Sequence, residues 1–352
     1  MGEILAAPGG LGNGNGVTKR FFSHILGTMP GKSVQPSYAR LGADELRRRA
    51  ESALARLSAC DLCPRKCGVD RSAGEDGFCH AGRRAVVASY QLHYGEESVL
   101  VGRGGSGTVF FSGCNLGCVF CQNWDISHAD ADGCLEGIEA SPEELAGVML
   151  ELQSQGAENI NLVSPTHVAG QILEALPTAL EHGLRLPLVW NSGGYESLET
   201  LALLDGVVDI FMPDAKVWDQ DVAARILLAR DYPETARAAI AEMHRQVGDL
   251  ELDEQGLARK GLLVRHLVLP EGLAGSGEWM HFLAGLSPLT FVNVMGQYRP
   301  CGRAGEFPPL DRPVRPGELA TAQDAARRAG LTRLDDAPDA LPARILRHIQ
   351  SD

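Results

Sequence analysis

The sequence predicts an α/β protein in which helices cover a partial barrel of parallel strands, with a cysteine-rich segment ahead of the barrel. Six short apolar runs alternate with segments of helical period, a pattern typical of a parallel sheet covered by helices. Six strands suit a partial barrel better than a closed barrel of eight. Four cysteines cluster before the first of these runs, and three more follow it directly.

The chain divides into four predicted segments: a disordered arm at 1–42, a helix plus cysteine-rich metal-binding cap at 43–104, the barrel at 105–310 and a C-terminal helical tail at 311–352. The arm is Gly-rich and lacks sustained periodicity. The cap helix is predicted from its apolar stripe, which consists of Leu46, Ala50, Ala53 and Leu57.

The predicted strands are the apolar runs at 108–112, 159–163, 186–191, 207–213, 262–270 and 290–295. The clearest helix follows Ser141, an N-cap with Pro142 at the first helical position and Glu144 at the third, which together make a capping box. A second helix is predicted from one apolar stripe: Tyr232, Ala236, Ile240, Met243 and Val247.

Composition limits the classes of function. The chain has 352 residues and a net charge of −13, which disfavours a nucleic-acid substrate because such binding relies on a basic surface. No apolar run approaches the roughly 18 residues of a membrane span, and the opening segment lacks a secretory apolar region. A cytoplasmic protein is therefore predicted, although the basic patch at 18–24 also fits an organelle transit peptide.

Three cysteines, Cys114, Cys118 and Cys121, follow the first predicted strand in the spacing C-x3-C-x2-C. Ligand sites in such folds lie on the loops at the carboxyl ends of the strands. Thiolates select zinc, copper(I) or iron–sulfur clusters, and three thiolates can hold three irons of a cubane while the fourth stays open. The loop is predicted to be a catalytic metal site. Ordinary buried cysteines are the alternative, which leaves the spacing unexplained.

A second group, Cys60, Cys63, Cys67 and Cys79, has the spacing C-x2-C-x3-C-x11-C. Four thiolates fit a zinc ion or an iron–sulfur cluster equally well by count. The segment is too poor in apolar residues to form a core, so a metal would supply its folding energy. Electron relay is a second role open to an iron–sulfur centre here. Disulfides are the alternative, disfavoured in a cytosolic-looking chain.

The stretch GCNLGCVFCQNW resembles the cluster loop of the radical S-adenosylmethionine (SAM) enzymes, with the aromatic residue Phe120 before the third cysteine. Other stretches resemble one branch, the uncharacterised relatives of pyruvate formate-lyase activating enzyme: CDLCPRKCGVDR, NINLVSPTH, NSGGYE, VDIFMPDAKVWD, RHLVLPEG and MGQYRP. The resemblance implies a (β/α)6 partial TIM barrel, a 4Fe–4S cluster, S-adenosylmethionine as cofactor, and a cofactor contact at Phe120.

The resemblance also implies cofactor contacts at three strand ends. Asp214 and Lys216 match a D-x-K motif near the methionyl group, where Lys216 would offset carboxylate charge; a surface salt bridge is the alternative. Asn191 and Ser192 would hydrogen-bond the ribose, or simply form a Gly-rich turn. Arg265 matches the arginine of a late strand, which needs a partner such as the cofactor carboxylate.

One departure from the family concerns its Gly-Gly-Glu stretch after the second strand, which receives the cofactor's amino group. This chain has SPTH at 164–167 instead. Ser164 or Thr166 is predicted to accept that hydrogen bond, and His167 to face the substrate. A structural role for the histidine is the alternative.

The predicted function is reductive cleavage of S-adenosylmethionine to a 5′-deoxyadenosyl radical that abstracts hydrogen from a substrate, as in glycyl-radical enzyme activases. The resemblance implies an electron donor such as flavodoxin or ferredoxin, and a glycyl-radical enzyme as a candidate protein substrate. The alternatives are radical modification of a small molecule or RNA, and an iron–sulfur electron-transfer protein that does not cleave S-adenosylmethionine.

Overall fold

The structure is a computed structural model that describes residues 35–335. Within that range ten strands form one sheet: β1 Ala85–His93, β2 Ser106–Phe111, β3 Ile138–Ala140, β4 Ile160–Val163, β5 Leu188–Ser192, β6 Ile210–Pro213, β7 Glu251–Leu252, β8 Ala258–Leu267, β9 Phe291–Met295 and β10 Arg333–Leu334.

Six of these strands, β2, β4, β5, β6, β8 and β9, lie side by side in that order and are parallel. Parallel neighbours that follow one another along the chain are the arrangement of a β/α barrel. One edge is extended by β10, parallel to β9, and the other by the antiparallel strands β1 and β3. The α/β class is confirmed, and the largely parallel sheet is compatible with a partial TIM barrel.

The helices are α1 Ser37–Leu41, α2 Ala43–Ala55, α3 Ser98–Val101, α4 Trp124–Ser127, α5 Pro142–Ser154, α6 Ala169–Glu181, α7 Leu198–Leu204, α8 Gln220–Ile226, α9 Tyr232–Val247, α10 Ser276–Leu286 and α11 Pro316–Ala329. Short 3-10 turns lie at Arg56–Ala59, Arg71–Ala73, Thr166–Val168, Pro270–Gly272 and Ala304–Glu306. None of the helices between residues 35 and 335 has the length and apolar character that a membrane span requires.

The local signals in the sequence are confirmed where they were strongest. Both hydrogen bonds of the α5 capping box form, from Ser141 N to Glu144 Oε2 (2.8 Å) and from Glu144 N to Ser141 Oγ (3.2 Å). The apolar stripe of α9 is buried along its whole length. All six predicted strands are present, although β8 begins four residues earlier than predicted, at Ala258 rather than at 262.

Residues 37–42 were assigned to the disordered arm, and this boundary is wrong. Ser37–Leu41 form α1, the Tyr38 side chain is fully buried, and its hydroxyl donates to Leu186 O (3.0 Å). The Ser37 amide donates to Asp209 Oδ1 (2.7 Å). These contacts come from residues far along the chain, so local composition did not reveal them. Residues 1–34 of the predicted arm lie outside the described residues.

The predicted cap–barrel and barrel–tail boundaries also change, because contacts between residues far apart in the sequence set them. β1 was assigned to the cap, but it pairs with β2, so the sheet begins at Ala85 and not at residue 105. In the predicted tail, α11 packs on α10, and β10 pairs with β9, so residues 311–335 belong to the barrel structure. The remainder of the tail, 336–352, lies outside the described part of the chain.

Side chains alternate along the parallel strands between an inner and an outer face, because successive residues of a strand point to opposite sides. One small apolar cluster contains Val189 of β5 and Leu263 of β8, while their neighbours Trp190 and Leu262 belong to the main core formed with the helices. The small cluster therefore lines the inner face of the barrel. By the same alternation, Asn191 on β5 shares the inner face with Val189.

Candidate active site at the carboxyl ends of the strands

The loop that carries Cys114, Cys118 and Cys121 leaves the carboxyl end of β2, as predicted. Two backbone hydrogen bonds attach it to one neighbouring segment: Gly117 N donates to Leu227 O (3.2 Å), and Val119 N donates to Ile226 O (3.0 Å). The loop is therefore held against the residues that end α8 before any ligand is considered.

Two of the three thiols already receive hydrogen bonds from the protein. Leu116 N donates to Cys114 Sγ (3.4 Å), and the Ser127 hydroxyl donates to Cys121 Sγ (3.1 Å). Such donors stabilise thiolate sulfur and tune an iron–sulfur cluster. Three soft ligands on one loop, with hydrogen bonds to sulfur, fit three irons of a 4Fe–4S cluster.

Burial raises the pKa of Cys114 to about 11 and raises that of Cys118 further. The Lys216 ammonium partly opposes this rise in pKa at both thiols. Because thiols bind metal as thiolates, binding of a cluster must release their protons. A fixed cation beside the loop favours that release.

Lys216 is one half of a pair with Asp214, at the carboxyl end of β6. The Lys216 ammonium lies 2.5 Å from Asp214 Oδ2, and the two side chains are 18% and 23% exposed. Burial alone would lower the pKa of Lys216, but Asp214 and the neighbouring Cys118 hold it above its usual range. The D-x-K motif therefore lies beside the cysteine loop as a partly buried pair, and not as the exposed surface salt bridge that was its alternative.

The Tyr232 hydroxyl holds the backbone of Asp214 and Lys216 in place. The sequence had predicted Tyr232 only as part of the apolar stripe of α9. Its hydroxyl accepts a hydrogen bond from Lys216 N (3.0 Å) and lies 2.8 Å from Asp214 O and 3.0 Å from Gly193 O. A hydroxyl donates one hydrogen, which the two carbonyl oxygens share. No local sequence signal distinguishes this tyrosine from a core residue.

The Gly-Gly pair of NSGGY allows two neighbouring loops to approach it closely. Gly194 has φ +77°, and a β-carbon there would come within 2.4 Å of Asp214 O. A β-carbon on Gly193 would lie 2.8 Å from Leu116 of the cysteine loop and 3.5 Å from Lys216 Cε. The turn is Gly-rich because it lies between the cysteine loop and the D-x-K motif.

The side chains of Asn191 and Ser192 point to opposite faces of β5. Asn191 lies on the inner face of β5 and is 9% exposed. Ser192 lies on the outer face, where its hydroxyl donates to the carboxylate of Glu196. Of the two predicted ribose contacts, only Asn191 faces the interior of the barrel.

Arg265 lies beside the D-x-K motif, since it pairs with Asp214 across β6 and β8, but carboxylates of this chain already surround its guanidinium. It donates to Glu97 Oε1 (2.7 Å) and Oε2 (2.6 Å), and it pairs with Glu96. Asn293 on β9 also donates to Glu97, over 2.8 Å. The predicted need of Arg265 for a carboxylate partner is met by the β1–β2 connection, so its contact with the cofactor carboxylate stays a prediction.

Phe120 is 4% exposed and packs edge-on against Tyr298, with 5.9 Å between the ring centroids. Tyr298 belongs to the MGQYRP stretch and donates from its hydroxyl to Leu310 O (2.7 Å). In this structure Phe120 therefore anchors the end of the cysteine loop on the residues after β9. Its contact with the cofactor stays a prediction.

The SPTH stretch contacts the carboxylate of Glu196, which was not among the predicted site residues. Ser164, at the end of β4, has φ +55°. The Thr166 hydroxyl donates to Glu196 Oε1 (2.6 Å), and Trp190 Nε1 donates to the same oxygen (3.3 Å). Glu196 is 1% exposed, and burial raises the pKa of its carboxyl. Thr166 therefore already has a carboxylate partner of this chain.

His167 turns away from the predicted substrate side. Its Nε2 lies 2.8 Å from Ser112 O, so this nitrogen carries the hydrogen and donates it. The residue is 1% exposed and lines the cavity of the second cysteine group. Burial lowers its pKa to about 4.

The four thiols of the second cysteine group, Cys60, Cys63, Cys67 and Cys79, all line one small cavity of about 10 Å³. No three Cys, His, Asp or Glu side chains within residues 35–335 form a compact set for a single metal ion, and this holds for both cysteine groups. All nine cysteines are free thiols, so the disulfide alternative finds no support within the described residues.

The two cysteine groups are in direct contact. A β-carbon on Gly113, which precedes Cys114, would come within 2.4 Å of Cys79 O. Arg65 of the second group donates from Nε to Asn115 O (2.9 Å) and from Nη1 to Leu228 O (2.5 Å). The cysteine-rich cap thus packs against the backbone of the Cys114–Cys121 loop.

Comparison with known proteins agrees with this geometry. Residues 108–249, which include the cysteine loop and the D-x-K motif, match the radical SAM superfamily. The chain is 33% identical over 282 residues to the uncharacterized protein MJ0674 of Methanocaldococcus jannaschii, covering 79% of this chain and 77% of that relative. It is 27% identical over 158 residues to the uncharacterized protein MJ0808 of the same organism, covering 41% of this chain and 46% of that relative. The chain belongs to the radical SAM superfamily, whose members use a 4Fe–4S cluster and S-adenosylmethionine for radical chemistry.

Proposed function

We propose that this enzyme reductively cleaves S-adenosylmethionine and uses the 5′-deoxyadenosyl radical to abstract hydrogen from a substrate, in the manner of the glycyl-radical enzyme activases. The observation that carries the proposal is the position of the Lys216–Asp214 pair beside the Cys114–Cys121 loop. When bound, the cluster and its cofactor supply the radical. The protein supplies position, charge and exclusion of water.

Each of these roles is proposed for particular residues of this chain. Cys114, Cys118 and Cys121 would hold three irons and leave the fourth open. Lys216 would offset the negative charge of the thiolates and of the cofactor carboxylate, and Tyr232 would fix the backbone that presents it. Asn191 would hydrogen-bond the ribose from the inner face.

We also propose that Cys60, Cys63, Cys67 and Cys79 bind a second metal centre that folds the cap beside the barrel mouth. The proposed electron donor is a flavodoxin or a ferredoxin, and the proposed substrate is a glycyl-radical enzyme. The net charge of −13 supports a protein over a nucleic acid.

The test is anaerobic reconstitution followed by reduction in the presence of S-adenosylmethionine. We expect 5′-deoxyadenosine and methionine to form in equal amounts, as measured by liquid chromatography. Full assembly of the cluster without 5′-deoxyadenosine under strong reductant would favour an electron-transfer protein. Hydrogen transfer from a deuterated glycyl-radical enzyme into 5′-deoxyadenosine would identify the substrate class, and transfer only from small molecules or RNA would contradict the activase proposal.

A further inference from the structure

A chain of hydrogen bonds leads from Cys121 of the cysteine loop to the side chain of His128. The Ser127 hydroxyl lies 3.1 Å from Cys121 Sγ and 2.8 Å from His128 Nδ1. It also lies 3.4 Å from Trp124 O. Ser127 is the last residue of α4, and a serine in a helix commonly donates back to a carbonyl oxygen of the preceding turn. Here the distance to sulfur is the shorter one although sulfur is the larger atom, so Cys121 is the preferred acceptor.

The positions of the hydrogens in this chain follow from its acceptors. A serine hydroxyl donates one hydrogen, and a neutral histidine carries one ring hydrogen. Burial lowers the pKa of His128, so its ring is neutral at pH 7. A thiolate that binds iron is a charged acceptor and forms the stronger bond, so the Ser127 hydroxyl donates to Cys121 Sγ. His128 Nδ1 must then carry its hydrogen and donate it to the Ser127 oxygen, because the opposite tautomer would draw the hydroxyl hydrogen away from sulfur.

Trp124 fixes the orientation of the His128 ring. The two rings stack with 3.8 Å between their centroids and 15° between their planes, and His128 N donates to Trp124 O (3.2 Å). The backbone of Gly302, in the loop after β9, also lies against the indole, because a β-carbon there would overlap Cε3 of the ring. The indole is thus held by a distant part of the chain, and the histidine has little freedom to turn Nδ1 away from Ser127.

We propose that Ser127 and His128 direct a hydrogen bond at Cys121 Sγ that stabilises the reduced 4Fe–4S cluster and raises its reduction potential. Reduction adds one electron and increases the negative charge on the sulfurs, so a fixed donor favours the reduced state. The electron comes from the proposed flavodoxin or ferredoxin, and no covalent bond changes in this step. Both residues act through Cys121, as positioning residues and not as ligands. The inference rests on the cluster of the proposed function and adds the two residues that set how readily it is reduced.

The test is a redox titration of the anaerobically reconstituted full chain, followed by electron paramagnetic resonance of the reduced cluster. The signal that Cys121→Ala removes belongs to the Cys114–Cys121 cluster. Ser127→Ala should lower the ratio of reduced to oxidised cluster about tenfold at a fixed potential, a shift of about 59 mV to more negative values for one electron. Ser127→Thr keeps the hydroxyl and should keep the potential. Ser154→Ala is the matched control, because Ser154 also ends a helix and donates to the carbonyl oxygen three residues earlier (2.8 Å), in an exposed position.

Two variants of the histidine test its part in the chain. His128→Phe keeps a stacked ring without a donor and should shift the potential in the same direction as Ser127→Ala, by a smaller amount. His128→Asn places an N–H group near the position of Nδ1 and should stay closer to the wild type. After exchange into D₂O, pulsed electron paramagnetic resonance should show a deuteron coupled to the cluster that Ser127→Ala removes.

An unchanged potential in Ser127→Ala, or equal potentials in the two His128 variants, overturns the inference and leaves the proposed function standing. The reverse result is also distinguishable, because the titration does not require S-adenosylmethionine. The expected shifts without any 5′-deoxyadenosine from the wild type would support the inference and contradict the proposed function. A signal that Cys121→Ala leaves intact would show that the loop holds no cluster, which contradicts both.

Discussion

The carbonyl oxygen of Cys79 lies against the α-carbon of Gly113, where a β-carbon would come within 2.4 Å of it. This contact joins the two cysteine groups, and it exists only because residue 113 has no side chain. Gly113→Ala should therefore separate the cap from the Cys114–Cys121 loop. We expect the steric clash to lower the unfolding free energy by about 1–3 kcal/mol beyond the backbone strain, and we expect less iron at the Cys114–Cys121 loop.

A matched control is available because Gly133 has φ +81°, against +80° for Gly113, and has no atom within 4 Å of its β-carbon position. Gly133→Ala carries the same backbone strain, about 1–2 kcal/mol, without the clash. Chemical denaturation of both variants compares the two costs. Equal destabilisation would show that the contact with Cys79 contributes nothing.

Replacing Lys216 by Met should uncouple cofactor cleavage from cluster binding. Lys216 assists loss of the thiol protons but is not one of the predicted cluster ligands, so we expect the iron content of the fully reconstituted protein to stay near that of the wild type. The yield of 5′-deoxyadenosine should fall more than about tenfold, a loss of about 1.4 kcal/mol in transition-state stabilisation. Lys260→Met, on β8 away from the pair, serves as the control. Parallel loss of iron and activity would mean that Lys216 serves only the fold.

Tyr232→Phe removes one oxygen that contacts Lys216 N, Gly193 O and Asp214 O. We expect destabilisation of about 1–3 kcal/mol, because these buried groups lose a partner, together with slower 5′-deoxyadenosine formation. Tyr90→Phe removes a hydroxyl whose hydrogen bond to Glu151 is exposed, and should change stability by less than about 0.5 kcal/mol. The prediction fails if the two variants have the same unfolding midpoint.

The lowered pKa of the Glu96 carboxyl predicts that the stability of the protein depends on pH. Burial alone would raise the pKa of its carboxyl, but Arg265 and His93 outweigh burial and hold the pKa at about 2, below the usual 4.5. A lowered pKa in the folded state stabilises the protein above pH 4.5, and this contribution disappears as pH falls towards 2. Glu96→Gln should cost up to about 3 kcal/mol at pH 7.

The measurement is urea unfolding of the wild type and of Glu96→Gln between pH 7 and pH 3. The difference between the two should shrink steadily below about pH 4.5. Glu254→Gln removes a carboxylate from an exposed turn and controls for net charge. A difference for Glu96→Gln that stays constant over this range would show that its carboxylate is not held by Arg265.

Strands and helices that are specified by residues close together in the sequence could be predicted from it. The six parallel strands are nearly continuous apolar runs, because both of their faces are buried, and the α5 helix is specified by its capping box. β1 was missed because its exposure varies along its length, as expected of a strand near the edge of the sheet. The cysteine loop stood out in the sequence because its three thiols lie within eight residues.

Contacts between distant residues carry no local signal, and the missed site residues are of this kind. Tyr232 looks like any apolar member of the α9 stripe, and only the fold shows that its hydroxyl reaches the D-x-K motif. Glu196 follows a Gly-rich turn, and nothing near it in sequence indicates that Thr166 donates to it. Arg265 was expected to need a carboxylate, but its partners lie 168 and 169 residues earlier.

This last separation has a consequence for synthesis on the ribosome. Glu97 is made 168 residues before Arg265, and at 5–20 residues per second the interval is on the order of 10 to 30 s. During that time the β1–β2 hairpin can form, but its two glutamates remain hydrated and repel each other until β8 emerges. The connection between β1 and β2 that carries Glu96 and Glu97 therefore lacks its Arg265 partner until β8 has been made.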